Sequence, residues 1–237
     1  SIGCDSLITP EGDGDPDVEQ GPSSDPEQDP EQNPDQGPET IPDPQETGKF
    51  NIIAWSDITN NGDPSDCEWK LQKLVEADFN MYLGWFDTAE KVEFVLSAAD
   101  KVGIDIITRS PELFTDTQNM VKKMSAHKSL YGYHIMDEPS EGHFADLKNK
   151  INNIRKYDSV RPCYVNLYPN WAWGGQNYYL ARVKKFVQQV PVSFLSFDNY
   201  PIKTVNGVST VRHDWYRNLE DIRTVAVENG LPIWAFA

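Results

Sequence analysis

A chain of 237 residues with 38% hydrophobic content can bury one full-sized core and is short for two ordinary domains. Its net charge of -16 is unevenly placed: residues 1–48 hold fourteen Asp and Glu and no Lys or Arg, which leaves 23 acids against 21 bases in the remainder. A near-neutral folded part behind an acidic tail offers no electrostatic footprint for a phosphate backbone, so nucleic acid is not an expected partner, and no run of 18 apolar residues is present to span a membrane.

Chain order begins with Cys4, which follows Ser1-Ile2-Gly3 and precedes a long polar tract. That arrangement resembles the processing site of bacterial lipoproteins, in which the cysteine is lipidated after cleavage, although Ser1 stands where a Leu is usual. The resemblance, together with the missing initiator Met, implies a trimmed signal peptide. It further implies anchoring in the outer membrane, facing the cell surface or the periplasm, with membrane contact only through a lipid on Cys4. From Asp5 to Gly48 the sequence cycles through units such as Asp25-Pro26-Glu27-Gln28-Asp29-Pro30-Glu31-Gln32, with hardly any large apolar side chain. Such a tract cannot bury enough surface to offset its ordering entropy, so residues 1–48 are expected to be a disordered, Pro-stiffened stalk and 49–237 the folded domain. Cys67 and Cys163 have neither metal-ligand spacing nor a close partner and read as small buried hydrophobes.

After Lys49, short β-branched and aromatic runs alternate with amphipathic segments. The first predicted strand, Phe50 to Trp55, is followed by Ser56-Asp57-Ile58-Thr59-Asn60, which is not a Gly-rich phosphate loop and argues against a doubly wound open sheet. The second runs from Phe79 to Trp85. Gly103 suits the end of the following helix, and the third strand spans Ile104 to Arg109. The fourth, Leu130 to Asp137, leads into Glu138-Pro139, and Ser140-Glu141 suits the start of a helix with apolar Phe144, Leu147, Ile151 and Ile154. In the fifth strand, Cys163 to Tyr168, the polar Tyr164, Asn166 and Tyr168 alternate with Val165 and Leu167, and the polar face is assigned to the interior. A loop with Trp171 and Trp173 follows. The sixth strand, Ser193 to Tyr200, repeats the alternation with Ser196, Asp198 and Tyr200. A helix with Trp215, Leu219, Ile222 and Val225 ends at Gly230, and the seventh strand is Pro232 to Ala237. This alternation predicts an α/β fold of the (β/α)8 TIM-barrel type, C-terminally incomplete with about seven strands, since residues 49–237 fall short of the roughly 250 of a typical barrel.

Active sites of such barrels assemble at the C-terminal strand ends. A carboxylate there, Glu138, suits the protonation of a leaving oxygen that glycosidic cleavage requires. Simple alternation puts His134, Met136 and Glu138 on one face, with His134 a core residue beneath Glu138. Arg109 is placed to steady a carboxylate or to form a surface ion pair. Trp171 and Trp173, and less directly Trp55 and Trp85, are flat side chains suited to stacking on sugars.

The segment His134-Ile135-Met136-Asp137-Glu138-Pro139 resembles the fourth strand of the clan of retaining glycoside hydrolases that includes β-galactosidases, cellulases and β-mannanases, where an Asn-Glu pair, often followed by Pro, ends that strand. The resemblance implies Glu138 as catalytic acid/base, with Asp137, Asn166, Tyr168, Asp198 and Tyr200 near the carbohydrate substrate. Tyr200 resembles the strand-six tyrosine that hydrogen-bonds the nucleophile. Asp137 departs from the pattern, because an ionised carboxylate accepts but does not donate a hydrogen bond to a sugar hydroxyl. The clan's nucleophile is a Glu ending the seventh strand; Pro232 to Ala237 contain none, so it is expected to lie outside this chain. No metal or organic cofactor is implied. A catalytically silent glycan-binding lipoprotein, and a cation site on Asp57, Glu138 and Asp198, are the competing readings.

Overall fold

β-Branched and aromatic side chains occupy the strands of one parallel sheet, and the amphipathic segments between them form helices that cover its outer face. The computed structural model describes residues 50–55, Ile58 and 64–236. Cys4, the tract 1–48 and Asp57 lie outside the described residues. In chain order the elements are β1 (Ile53–Trp55), α1 (Pro64–Glu76), β2 (Met81–Trp85), α2 (Ala89–Val102), β3 (Asp105–Arg109), α3 (Glu112–Thr115), α4 (Thr117–Met124), β4 (Leu130–Asp137), α5 (Phe144–Arg155), β5 (Cys163–Leu167), α6 (Gln176–Gln189), β6 (Leu195–Asp198), β7 (Ile202–Val205), β8 (Val208–Val211), α7 (Trp215–Asn229) and β9 (Ile233–Phe236).

Seven strands form the sheet in the order β1-β2-β3-β4-β5-β6-β9, every pairing parallel. Parallel neighbours joined by covering helices generate two apolar layers. Outside the sheet, Leu71, Leu96, Ile106, Ile151, Val165, Leu167, Val183 and Ile222 belong to the large sheet–helix core. Inside it, Met81, Leu83, Ile107, Tyr164 and Phe194 form a second cluster, joined by Trp55, Tyr131 and Trp234. Trp55 at the end of β1 and Phe236 at the end of β9 meet edge-on with ring centroids 5.0 Å apart. The sheet therefore curls until the side chains of its first and last strands touch, which makes a half-barrel with a filled interior, as the strand pattern predicts.

Local signals agree with this layout. Thr88 caps α2 by accepting from the Lys91 amide at 3.3 Å, and Gly103 and Gly230 end α2 and α7 with φ of 81° and 63°, which only a residue without a side chain adopts at little cost. Cys67 and Cys163 are buried free thiols, and burial pushes them up to about 11 and about 12. Among the described residues, no helix is long and apolar enough to cross a membrane.

One element is absent from the sequence-based layout. β7 and β8 form an antiparallel ribbon, Ile202 opposite Val211 and Val205 opposite Val208, projecting from the loop between β6 and α7. Asn206 and Gly207 take φ of 51° and 78°, the pair of positive values that a two-residue hairpin turn of matching twist requires. An Asn-Gly pair between Val- and Thr-rich runs carries that signal in the sequence. All eight strand residues are exposed, so no hydrophobic periodicity toward the core marks them.

Candidate active site

Glu138 follows a strand that does not keep simple alternation. In β4, His134 pairs with Tyr164, after which the register skips Ile135, so that Met136 pairs with Val165 and Asp137 with Asn166. A bulge of this kind re-aims every side chain beyond it. His134 points inward, Met136 packs on the sheet–helix core, and Asp137 turns to the interior beside Asn166. The expected common face of His134, Met136 and Glu138 is thereby corrected. Glu138 itself has φ of 47°, while its amide donates to the Asn166 carbonyl at 2.9 Å. A left-handed conformation costs an L-residue roughly 1–2 kcal/mol, and such strain concentrates at functional positions.

The inward faces of β5 and β6 supply a directed hydrogen-bond chain. Ser196 Oγ donates to Asn166 Oδ1 at 3.2 Å, so the Tyr164 hydroxyl, 2.8 Å from Ser196 Oγ, is the donor of that contact. Asn166 Nδ2 then donates to Asp137 Oδ1 at 3.1 Å. Asn166 is buried and its amide is committed at both ends, which fixes Asp137 as the acceptor at the mouth. Partial burial raises the Asp137 carboxyl, with the Asn166 bond and the Arg109 charge opposing.

Asp198, at the end of β6, is only 9% exposed. Its Oδ1 is buried without a hydrogen-bond partner among the described residues. Burial, and then the neighbouring Glu138 and Asp137, push its carboxyl up to about 7. Glu138 is raised by burial and by Asp137, with the Asp198 contact opposing.

Beneath the carboxyls lies a cation–aromatic stack. Arg109 Nε donates to His134 Nδ1 at 3.1 Å, which leaves the ring proton on Nε2. Burial, reinforced by Arg109, lowers His134 to about 3, so the imidazole is neutral. Trp85 stacks on His134 with centroids 5.0 Å apart and an interplanar angle of 15°, and the Arg109 guanidinium lies 5.7 Å from the Trp85 ring centre. Trp55 meets Trp85 edge-on at 5.9 Å. His134 is a core residue, as expected, and Arg109 forms no ion pair among the described residues; it braces the strand ends.

The two loop tryptophans separate. Trp171 is 51% exposed and carries the Arg212 guanidinium 5.0 Å from its ring centre, leaving surface free for stacking. Trp173 is 5% exposed, packed against Phe144, Tyr168 and Tyr179 at centroid distances of 6.1, 6.3 and 6.0 Å. It is core beneath the loop rather than a platform, a correction to its expected role. Trp85 and Tyr200 are exposed near the carboxyls, and Tyr168 is half-buried there; burial and the surrounding carboxyls raise the phenols of Tyr168 and Tyr200. What the sequence did not disclose is the support. Asn218 Oδ1 accepts from the Asn170 amide at 2.8 Å and from Asn199 Nδ2 at 2.9 Å, tying the Trp171 loop and the end of β6 to α7. Those partners are up to 48 residues apart, and no local pattern announces them. Among the described residues, no group of three or more His, Cys, Asp or Glu is placed to hold a metal ion.

No protein-family model and no curated protein sequence matches the chain. Solved structures do. A GH10 endoxylanase from a sugarcane soil metagenome aligns with a TM-score of 0.51 at 11% identity, over 80% of this chain and 67% of that one. An FMN-binding β-glucuronidase from Facaelibacterium prausnitzii L2-6 aligns with a TM-score of 0.51 at 12% identity, over 78% of this chain and 29% of that one. A GH2 β-galacturonidase from Eisenbergiella tayi bound to galacturonate gives a TM-score of 0.41 at 13% identity, over 78% of this chain and 43% of its own. The chain thus spans less than half the length of some of the proteins it resembles. At these identities the likeness is one of fold: this chain is similar to the curled parallel barrels of glycoside hydrolases.

Proposed function

We propose that this chain carries the acid/base half of a glycoside hydrolase that cleaves O-glycosidic bonds of a poly- or oligosaccharide. The observation that carries the reading is Glu138, held at φ 47° on the mouth of a barrel-like sheet with its carboxyl raised by burial and by Asp137. A carboxyl held above its ordinary range is the better donor of the proton that a glycosidic leaving oxygen needs. Trp171 and Trp85 offer exposed flat faces at the same end of the sheet for the sugar rings, and Asp137, Tyr168 and Tyr200 line the approach, with Asn166 and Asp198 buried behind them. By its resemblance to the retaining clan, the mechanism uses two carboxylates, with a nucleophilic Glu from the end of the seventh strand. We further propose that residues 1–48 are a stalk carrying a lipid on Cys4 and holding the domain at the outer membrane.

Hydrolysis of a panel of polysaccharides and aryl glycosides by the full-length product of the gene and its Glu138→Gln variant tests the acid. Loss of about 10²–10⁴-fold is expected on substrates with poor leaving groups, and much less on dinitrophenyl glycosides, whose leaving group needs no proton. Equal rates on both substrate types would remove Glu138 from catalysis. Glycan binding without turnover by either protein would favour a silent binding module.

A further inference from the structure

We propose that Trp171 and Arg212 together form a binding site for an uncharged pyranose: the sugar stacks on the open face of the Trp171 indole, and the free edge of the Arg212 guanidinium donates to oxygens on the rim of the sugar ring. The place of this site in a reaction rests on the glycoside-hydrolase reading above, whereas the binding itself does not.

Both groups are held from one anchor. Arg212 leaves β8 with its amide donating to the Pro201 carbonyl at 2.7 Å. Its guanidinium grips the buried Asp214 carboxylate twice, Nε to Oδ1 at 3.1 Å and Nη2 to Oδ2 at 3.2 Å. A forked pair of this kind fixes the plane of the guanidinium as well as its position. Burial opposes the Asp214 charge, yet the pair with Arg212 holds its carboxyl below the ordinary range. Trp171 is held through its neighbour: the Asn170 amide donates to Asn218 Oδ1 at 2.8 Å, and Asn170 Nδ2 donates to the Asp214 carbonyl at 3.2 Å. Asp214 therefore meets Arg212 through its side chain and the Trp171 loop through its backbone, which sets the guanidinium 5.0 Å from the indole centre.

What stays open has the chemistry of a sugar site. Arg212 covers one face of the indole, yet Trp171 is 51% exposed and makes no ring–ring contact among the described residues, so its other face is bare. Pairing with Asp214 uses Nε and Nη2, which leaves both N–H groups of Nη1 without an acceptor among the described residues, on a side chain 26% exposed. A flat apolar face beside fixed donors matches a pyranose, whose C–H groups make one apolar side and whose hydroxyls radiate from the rim. Because the fork and the indole are ordered before the sugar arrives, little side-chain freedom is lost on binding. Charge selects the class of sugar. Asp214 already neutralises Arg212, and the mouth of the sheet carries the Glu138, Asp137 and Asp198 carboxyls. A uronate would bring a further negative charge toward those carboxyls with no charge on Arg212 to spare, and an uncharged ring meets no such opposition.

The direct test is binding of cello-, malto-, xylo- and mannohexaose and of an oligogalacturonate to the full chain carrying Glu138→Gln, followed by the ¹H–¹⁵N signals of the tryptophan indoles, with Trp171→Phe identifying the Trp171 signal. A neutral hexaose is expected to move that signal, and its Kd should rise about tenfold or more both in Trp171→Ala and in Arg212→Lys, which keeps the charge and loses the fork. Binding of none of these probes, a Trp171 signal that stays still, or an unchanged Kd in both variants would overturn the site. Oligogalacturonate binding more tightly than every neutral hexaose would overturn the uncharged class. Hydrolysis by the full-length product of the gene separates the two readings: turnover with the Trp171 signal unmoved keeps the hydrolase and sinks the site, and sugar bound at Trp171 without turnover upholds the site and removes the hydrolase. Should Arg212→Lys not fold, the Trp171 signal and Trp171→Ala decide alone.

Discussion

Glu138 occupies a backbone conformation that favours glycine, yet carries the side chain on which the proposed chemistry depends. Its backbone cost can be separated from its charge. Glu138→Gly should be more resistant to urea than Glu138→Ala by about 1 kcal/mol, because both delete the carboxyl and only alanine keeps the Cβ that a positive φ penalises. Alanine matching or exceeding glycine would show that the turn relaxes once the carboxyl is gone. The residue types at the strand ends, a carboxylate after Asp137 and alternating polar side chains in β5 and β6, were legible in the sequence because period two survives in those strands. Side-chain fate was not legible for the tryptophans. Trp171 and Trp173 are chemically equal in the sequence, and only the position of Phe144, Tyr168 and Tyr179 buries one of them.

Among the elements, β4 carries the most information and hid the most. Its pairing with β3 skips Tyr131 and its pairing with β5 skips Ile135, so two extra residues bend one eight-residue strand. No pattern of apolar residues marks a bulge when the neighbours of the skipped residue are buried or half-buried anyway. Gly132 supports this path: a Cβ there would lie 2.6 Å from the Pro162 carbonyl oxygen, a backbone atom that cannot swing away. Gly132→Ala should therefore cost about 1–3 kcal/mol in urea unfolding through forced separation of β4 from the segment before β5; an unchanged midpoint would mean that the backbone yields freely there. The ribbon of β7 and β8 shows the converse. Its Asn-Gly turn is plain in the sequence, but a layout built on core-facing periodicity overlooks strands that face only solvent.

For the whole molecule, parallel sheet order and helix placement followed from the βα alternation, since each helix needs a sheet face to bury its apolar stripe. Protonation couples to this fold through its interior. His134 is held to about 3 when folded, against an ordinary value of 6.5. Below pH 6.5 the unfolded chain binds a proton that the folded chain refuses, so folding stability falls as pH drops through that window, by about 1.4 kcal/mol per unit. Asp198 acts with the opposite sign, since its folded carboxyl binds a proton that the unfolded one releases, and stability from it grows as pH falls from about 7. Comparing wild type with His134→Asn isolates the first contribution: about 2 kcal/mol of relative stability should be lost by the wild type between pH 6.5 and 5. Parallel pH dependence in the two proteins would mean that the imidazole is protonated inside the fold.

The curl of the sheet also gives the molecule an optical identity. Trp55 and Trp85 lie edge to face at 5.9 Å, and Phe194 stacks on Trp234 at 4.2 Å. Aromatic transition dipoles held this near at fixed angles mix their excited states and rotate near-ultraviolet light as pairs rather than singly. Because Trp55 belongs to β1 and touches Phe236 on β9, the circular dichroism of those coupled chromophores reports whether the two ends of the sheet have come together.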